Sequence, residues 1–247
     1  MSKVTFDFTG ENFVVTGAGS GMGRQITVEL AQAGAKVLAL DLSAGALSDL
    51  MSQHANVTGV AVNVCDYDAV EQAVSDFVKK NGKLNGGVHA AGITGLTPLR
   101  AYDEDEVRRI MDISFMAGAK FMQITSRKKN SVDGASFVWF SSERARAVAS
   151  GLFAYAGAKA ACVVAARIFA KELAGRKIRV NTISPGWVKT GMTQNLGETH
   201  NMDEINASSL FGFGEPEDVT GMIMFLLSDR AKWITGTNIP VAGGFGI

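Results

Sequence analysis

A tyrosine and a lysine four residues apart, Tyr155 and Lys159, stand in "AYAGAKAACVVAARIFAKELAG", a run that is otherwise almost wholly small or apolar. On a helix the two are neighbours. Tyr155, Lys159, Cys162, Val163, Ala166 and Ala170 then form one stripe, while Arg167 and Lys171 begin roughly 80° around. An ammonium on a packed face needs a partner or an aqueous cleft, the ordinary alternative being a surface lysine that snorkels. A fixed positive charge beside a phenol favours phenolate and brings the group down from its reference of about 10. Proton exchange with an alcohol or ketone is the chemistry such a pair suits. Ser142, closing "FVWFSS", offers a hydroxyl to a substrate oxygen, and Ser141 is the rival that strand alternation points the other way.

The second chemical signal is "TGAGSGMGRQITVELAQAGA", with Gly17, Gly19, Gly21 and Gly23 between an apolar run and an amphipathic one. Glycine permits a tight turn and lets a pyrophosphate approach backbone N–H groups at a helix start, where the dipole favours an anion. Taken alone, such a run is equally a strand-to-helix turn. The context adds Asp41, eighteen residues after Gly23 at the end of the next apolar run. A carboxylate there accepts from both ribose hydroxyls of an adenosine and repels a 2′-phosphate, which favours NAD(H) over NADP(H). Neither Ser20 nor Leu42 supplies the base a 2′-phosphate needs, although Arg24 is near. Ser43 can cap the following helix, which leaves Asp41 for the cofactor.

These residues need a frame. Short β-branched runs, "FVVTG", "KVLALD", "VTGVAVNV", "GGVHAAG", "ASFVWFSS", "KIRVNTISPG" and "TGTNIPV", alternate with helix-length segments. That pattern predicts an α/β fold, a seven-stranded, mainly parallel, doubly wound sheet with helices on both faces. Ligands in such sheets sit beyond the carboxyl ends of the strands, where most of the unusual residues fall. Trp187 to Phe213 is long and patternless, and its apolar residues Trp187, Met192, Leu196, Met202, Leu210, Phe211 and Phe213 read as a substrate lid around 187–213.

The chain of 247 residues holds four prolines and neither linker nor repeat, so a single domain over 1–247 is expected. Twenty-four Lys and Arg balance twenty-four Asp and Glu, which argues against a nucleic-acid partner. "SRKKN" and "GRKIR" read as solvated C-terminal helix turns. "MSKVTFDFTG" lacks a signal-sequence core and no apolar run looks long enough to span a membrane, so a soluble cytoplasmic protein is expected. Cys65 and Cys162 suit reduced packing residues, and His54, His89 and His200 have no metal-ligand spacing, so no metal is expected.

"TGAGSGMG", "HAAG", the Ser142, Tyr155 and Lys159 set with thirteen residues from Ser to Tyr, "SPGWVKTGM" and the terminal "GG" together resemble the short-chain dehydrogenase/reductase family along nearly the whole chain. The resemblance implies a single Rossmann-type domain that transfers hydride between a nicotinamide ring and a carbonyl or secondary alcohol. It makes Tyr155 the general acid/base, gives Lys159 the nicotinamide ribose and the phenol's charge, and lets Ser142 orient the substrate oxygen. It puts Gly17, Ser20, Gly21, Met22 and Gly23 around the pyrophosphate and adenosine, Asp41 and Leu42 at the adenine ribose, and Asn63 and Val64 at the adenine. Ala90, Ala91 and Gly92 line the cofactor cleft, while Pro185, Gly186, Val188 and Thr190 position the nicotinamide. The family often assembles as homotetramers or homodimers, and the helix of Tyr155 and the tail "PVAGGFGI" are candidate interfaces or equally core.

There are departures. Where the family usually has an asparagine that helps hold a water joining the lysine to solvent, this chain has Ser114, whose hydroxyl both donates and accepts. Asn63 stands at a common aspartate, and His89 and Ala90 at a common asparagine pair. "ERARA" after Ser142 reads first as a solvated loop of mutually compensating charges, with recognition of a charged substrate group by Glu143, Arg144 or Arg146 as the alternative. "YDEDEVRR" reads as a helix start, acids first and bases a turn later. The expected function is therefore NAD(H)-dependent interconversion of a small or medium ketone and its secondary alcohol. The alternatives are an NADPH-dependent 3-oxoacyl-thioester reductase and a dinucleotide-binding sensor or scaffold.

Overall fold

The apolar runs become seven strands of one sheet: β1 (Asn12–Thr16), β2 (Lys36–Asp41), β3 (Val57–Ala61), β4 (Leu84–His89), β5 (Ser131–Phe140), β6 (Arg179–Pro185) and β7 (Asn238–Val241). The computed structural model describes residues 4–193 and 208–246. The spatial order is β3-β2-β1-β4-β5-β6-β7, and every pairing is parallel rather than mainly so. The order reverses between β1 and β4, which opens a crevice at their carboxyl ends.

Alternation along each strand divides the core between the two faces of the sheet. Val37 and Ala39 of β2 pack with Ile26 and Leu30 of α1 (Gly21–Gln32) and Ile223 of α7 (Pro216–Leu227). Leu38 and Leu40 face the other way, toward Val74 of α3 (Tyr67–Asn81), Phe121 of α5 (Ala117–Thr125) and Cys162 of α6 (Phe153–Leu173). Burying both faces explains why the strands are continuously apolar.

Local chemistry sets the helix starts. Ser43 accepts from the Ala46 N–H at the head of α2 (Ala44–Gln53), and Asp66 does the same for α3. The acids of "YDEDEVRR" open α4 (Glu104–Met111) as expected, with Asp103 capping and Arg108 paired to Glu104 at 2.5 Å. Between α4 and α5 the backbone makes a π-helical turn, Asp112–Met116, centred on Ser114.

Two expectations need correction. Helix 153–176 is in fact long and apolar enough, by length and composition, to cross a membrane. Its small residues Ala154, Ala158, Ala166 and Ala170 are buried in the fold, and it packs on β5 and β6 as a core helix. Arg179, in the cluster read as a solvated turn, is buried and donates to the Leu226 and Ser228 carbonyls, satisfying the end of α7. Of the expected lid, Leu196 and Met202 lie outside the described residues. Trp187 and Met192 do line a cavity, whereas Leu210 and Phe211 face solvent. The flanks of that segment are stitched down, by Lys189 N–H to Gly214 O and by Phe211 N–H to Gly243 O.

Candidate active site

The carboxyl ends of β1, β4, β5 and β6 converge on two adjoining hollows. One, of about 460 Å³, is lined by Ser142, Tyr155, Lys159, Pro185, Gly186 and Val188 with a mostly apolar wall that includes Leu96, Leu152, Trp187 and Phe245. The other, of about 260 Å³, is lined by Gly17, Ser20, Gly21, Met22, Gly23, Asp41, Leu42, Asn63, Val64, Ala90, Ala91, Gly92 and Thr190. Met22, Ala90, Gly92, Phe140, Thr190 and Met192 line both and join them into one cleft. Every site residue expected from the sequence borders this cleft except Ser114, which lies just behind it.

Lys159 is the decisive side chain. It is only 4% exposed, and its ammonium donates to the Phe140 carbonyl at 3.0 Å while sitting 5.8 Å from the centre of the Tyr155 ring. The lysine is therefore neither snorkelling nor in bulk water. Phe140 ends β5, so the strand terminus fixes the charge and the helix turn fixes the phenol relative to it. The adjacent serines separate as strand alternation predicts. Ser141 donates its hydroxyl to the Lys159 carbonyl at 2.8 Å and so ties α6 to β5, whereas Ser142 only accepts, from the Arg144 N–H at 3.2 Å. Ser142 thus keeps its proton for the cavity.

Ser114 makes contacts of its own just behind the cleft. Its hydroxyl donates to the Ile93 carbonyl and accepts from the Ile93 N–H, both at 3.3 Å, and so braces the chain just beyond β4. Its carbonyl, turned out by the π-helical turn, lies 3.5 Å from the Cys162 sulfur. Burial pushes the Cys162 thiol up to about 11, which leaves it a protonated packing residue at neutral pH.

His89 sits below the same floor. Its Nδ1 is 2.9 Å from Thr16 Oγ1, its ring packs on Phe121 and Trp139, and no described group meets its Nε2 with hydrogen-bond geometry. Burial, reinforced by the Lys159 ammonium, holds the imidazole down to about 3, so it is neutral across the physiological range.

The second hollow fits a dinucleotide. Gly17 has φ +66°, and a Cβ there would come within 2.8 Å of the Ala91 nitrogen, so only glycine allows the loop to lie against the chain just beyond β4. Helix α1 begins at Gly21 without a side-chain cap from Ser20 and without an acid in its first turn, which leaves its N–H groups open to an anion. Asp41 accepts from the Gly19 N–H and the Ser43 N–H at 2.9 Å each, and Ser43 caps α2 by itself. Arg24 is committed to Asp49 at 2.5 Å and to the Ala46 carbonyl. Thr190 packs over Gly21, reaching across from the loop after β6.

Three features of the cleft had no clear signal in the sequence. The Phe140 carbonyl that holds Lys159 is backbone. Phe245 comes from the tail and is itself buried against Trp187, with ring centres 6.1 Å apart. Arg144 lies over both of those rings, where a solvated loop was the first reading.

Residues 17–246 match the family described as enoyl-(acyl carrier protein) reductase. The chain belongs to the short-chain dehydrogenase/reductase family. Its relatives include a 3-oxoacyl-(acyl-carrier-protein) reductase of Thermotoga maritima, 33% identical over 95% of this chain and 97% of that protein. A D-erythrulose reductase of Gallus gallus is 34% identical over 96% of each chain. Among solved structures, a short-chain dehydrogenase/reductase of Brucella melitensis superposes with a TM-score of 0.93 at 27% identity, covering 99% of this chain and 100% of its own. A blue fluorescent protein from a metagenomic library, solved with NADPH, gives a TM-score of 0.91 at 28% identity, with 98% of this chain and all of that one covered. Membership in this family makes the chain an oxidoreductase with a nicotinamide dinucleotide as cofactor.

Proposed function

We propose that the protein is an NAD(H)-dependent ketoreductase, interconverting a small or medium ketone and its secondary alcohol. The observation that carries this reading is the buried Lys159 ammonium, pinned beside the Tyr155 ring at the wall of an apolar cavity. When bound, the nicotinamide supplies a hydride to the carbonyl carbon or takes one from the carbinol carbon. Tyr155 carries the matching proton. In reduction its hydroxyl gives that proton to the carbonyl oxygen as the C=O π pair becomes an O–H bond, and in oxidation it takes the proton back. Ser142 donates to the same oxygen and fixes its position. Lys159 offsets the negative charge left on the phenolic oxygen, and its low exposure makes that attraction stronger than it would be in water. Ser114 is a positioning residue, holding Ile93 and through it the floor beside Gly92.

NAD(H) is the preferred dinucleotide on two grounds. The Asp41 carboxylate occupies the ribose end of the cleft, and the nearby cation, Arg24, is paired with Asp49 rather than free for a 2′-phosphate. The similarity to a 3-oxoacyl-(acyl-carrier-protein) reductase supports a second reading, a thioester ketoreductase using NADPH. Following NADH and NADPH oxidation in parallel against simple ketones and 3-oxoacyl thioesters separates the two. Turnover of simple ketones with NADH supports the first reading, and turnover confined to thioesters with NADPH contradicts it. Cofactor binding without turnover of any carbonyl points instead to a sensor. Phe153, Val164 and Ile168 leave apolar side chains exposed on α6, and self-association into a homodimer or homotetramer is the expected way to cover them.

A further inference from the structure

The proposed reaction leaves one cation in the wall of the substrate cavity unused. Arg144 stands two residues beyond Ser142, half-buried, with its guanidinium carbon 5.0 Å from the ring centre of Trp187 and 5.0 Å from that of Phe245. Those rings meet edge to face, 6.1 Å apart, and form a corner that orients the guanidinium plane and strips water from it. Of its donors, Nη1 is used on the Ala147 carbonyl at 3.3 Å. No carboxylate among the described residues pairs with it. Glu143, the adjacent acid, is 2% exposed and its Oε2 already accepts from Arg146 Nη2 and Nε, at 2.6 and 3.2 Å. Arg146 is anchored in turn to the Gly246 carbonyl. The compensation of charges expected within "ERARA" therefore covers Glu143 and Arg146 and omits Arg144.

A guanidinium half withdrawn from water and lacking a counter-ion is costly, and burial indeed pulls Arg144 below its usual range, against the opposing attraction of Tyr155. The cost is recovered when an anion enters. We infer that Arg144 is the anchor for a carboxylate on the substrate, so that the carbonyl compound reduced at Tyr155 is an oxo acid, and the alcohol oxidised in reverse a hydroxy acid. A carboxylate is the preferred anion for two reasons. Its plane and two oxygens match the fork of the guanidinium, and its single charge balances the one cation of the cavity wall that the reaction does not use. The corner of Trp187 and Phe245 lies across the same cavity wall as Ser142 and Tyr155, so one small molecule bearing both groups meets the anchor and the proton donor together.

This inference rests on the ketoreductase reading, and its test keeps the two apart. Oxo acids of graded length, 3-oxobutanoate, 4-oxopentanoate and 5-oxohexanoate, are compared with their methyl esters in steady-state kinetics of the wild type. For the best-fitting length, kcat/KM of the acid is expected to exceed that of the ester by tenfold or more. The ratio should fall to about one in Arg144→Met and stay intermediate in Arg144→Lys. Equal turnover of acids and esters by the wild type, or a ratio unchanged in Arg144→Met, overturns the assignment. So does a stronger response to a phosphorylated ketone than to any oxo acid. A second measurement needs no turnover and no variant fold beyond a thermal melt. In calorimetric titration of the full chain with NAD⁺ present, pentanoate is expected to bind at least tenfold tighter than pentanamide, with the difference lost in Arg144→Met. If no carbonyl is reduced yet pentanoate is selected, the ketoreductase reading fails and the anion anchor stands. If ketones are reduced and pentanoate is not selected, the reverse holds.

Discussion

At the scale of residues, the molecule is organised around one ammonium. Lys159 is desolvated by the fold and held by a strand-end carbonyl, so its position is set within the hydrogen-bond distance to Phe140. Gly92 tests how much that position matters. A Cβ at 92 would lie 3.1 Å from the ammonium and 3.6 Å from the Ser114 hydroxyl, with no backbone clash in prospect. Gly92→Ala should therefore leave the melting temperature within a few degrees of wild type while lowering kcat by about tenfold, since sub-ångström misplacement is expensive in an oriented site. Thermal melting and steady-state kinetics on the same preparation check both halves. The pairing of Tyr155 with Lys159 was legible because the helix period sets it, and strand alternation separated Ser142 from Ser141, but the choice between the two serines rested on the family resemblance. The acceptor for Lys159 was not, because a backbone carbonyl has no residue type to read.

At the scale of elements, the loop between β1 and α1 and the end of β2 form a single device. Gly19 and Asp41 touch through a backbone N–H and a carboxylate, and a Cβ on Gly19 would meet the carboxyl carbon at 2.7 Å. Asp41→Ala removes both the acceptor for the ribose and the repulsion of a 2′-phosphate. The ratio of kcat/KM for NADPH over NADH should rise about ten- to a hundredfold, mostly through KM, as measured with one ketone at saturation. The strands themselves were readable from apolar runs, and a mainly parallel sheet from their alternation with helices, although every pairing proves parallel. What escaped the sequence were meetings between distant loops. Arg144 follows β5 and Phe245 follows β7, and only the sheet order places β6 between those strands so that the loops beyond them reach each other. The role of Arg179 is hidden from the sequence for a similar reason, since its partners are carbonyls at the end of α7, far along the chain.

At the scale of the whole molecule, a neutral imidazole sealed under the site links stability to pH. His89 is held down to about 3 by burial first and by Lys159 second, against 6.5 when free. Above pH 6.5 folded and unfolded chains both carry it neutral and stability is complete. Between pH 6.5 and about 3 the unfolded chain holds one proton more, so stability falls with acid by up to about 1.4 kcal/mol per pH unit from this group. Urea denaturation at pH 7.5, 6 and 5 should show that slope, and His89→Asn should remove its one-proton share. The helix bearing Tyr155 illustrates the limit of composition at this scale. Its length and apolarity suit a membrane, yet one of its faces is the core of the sheet and the site wall at once.

The most direct test of the central claim is a single-turnover measurement of nicotinamide absorbance after mixing NADH-saturated protein with a reducible ketone, for the wild type and for Tyr155→Phe. The account predicts that the wild type oxidises its bound NADH and that the variant, which still binds NADH, is slower by about 10²- to 10⁴-fold. Equal rates in the two proteins would contradict it.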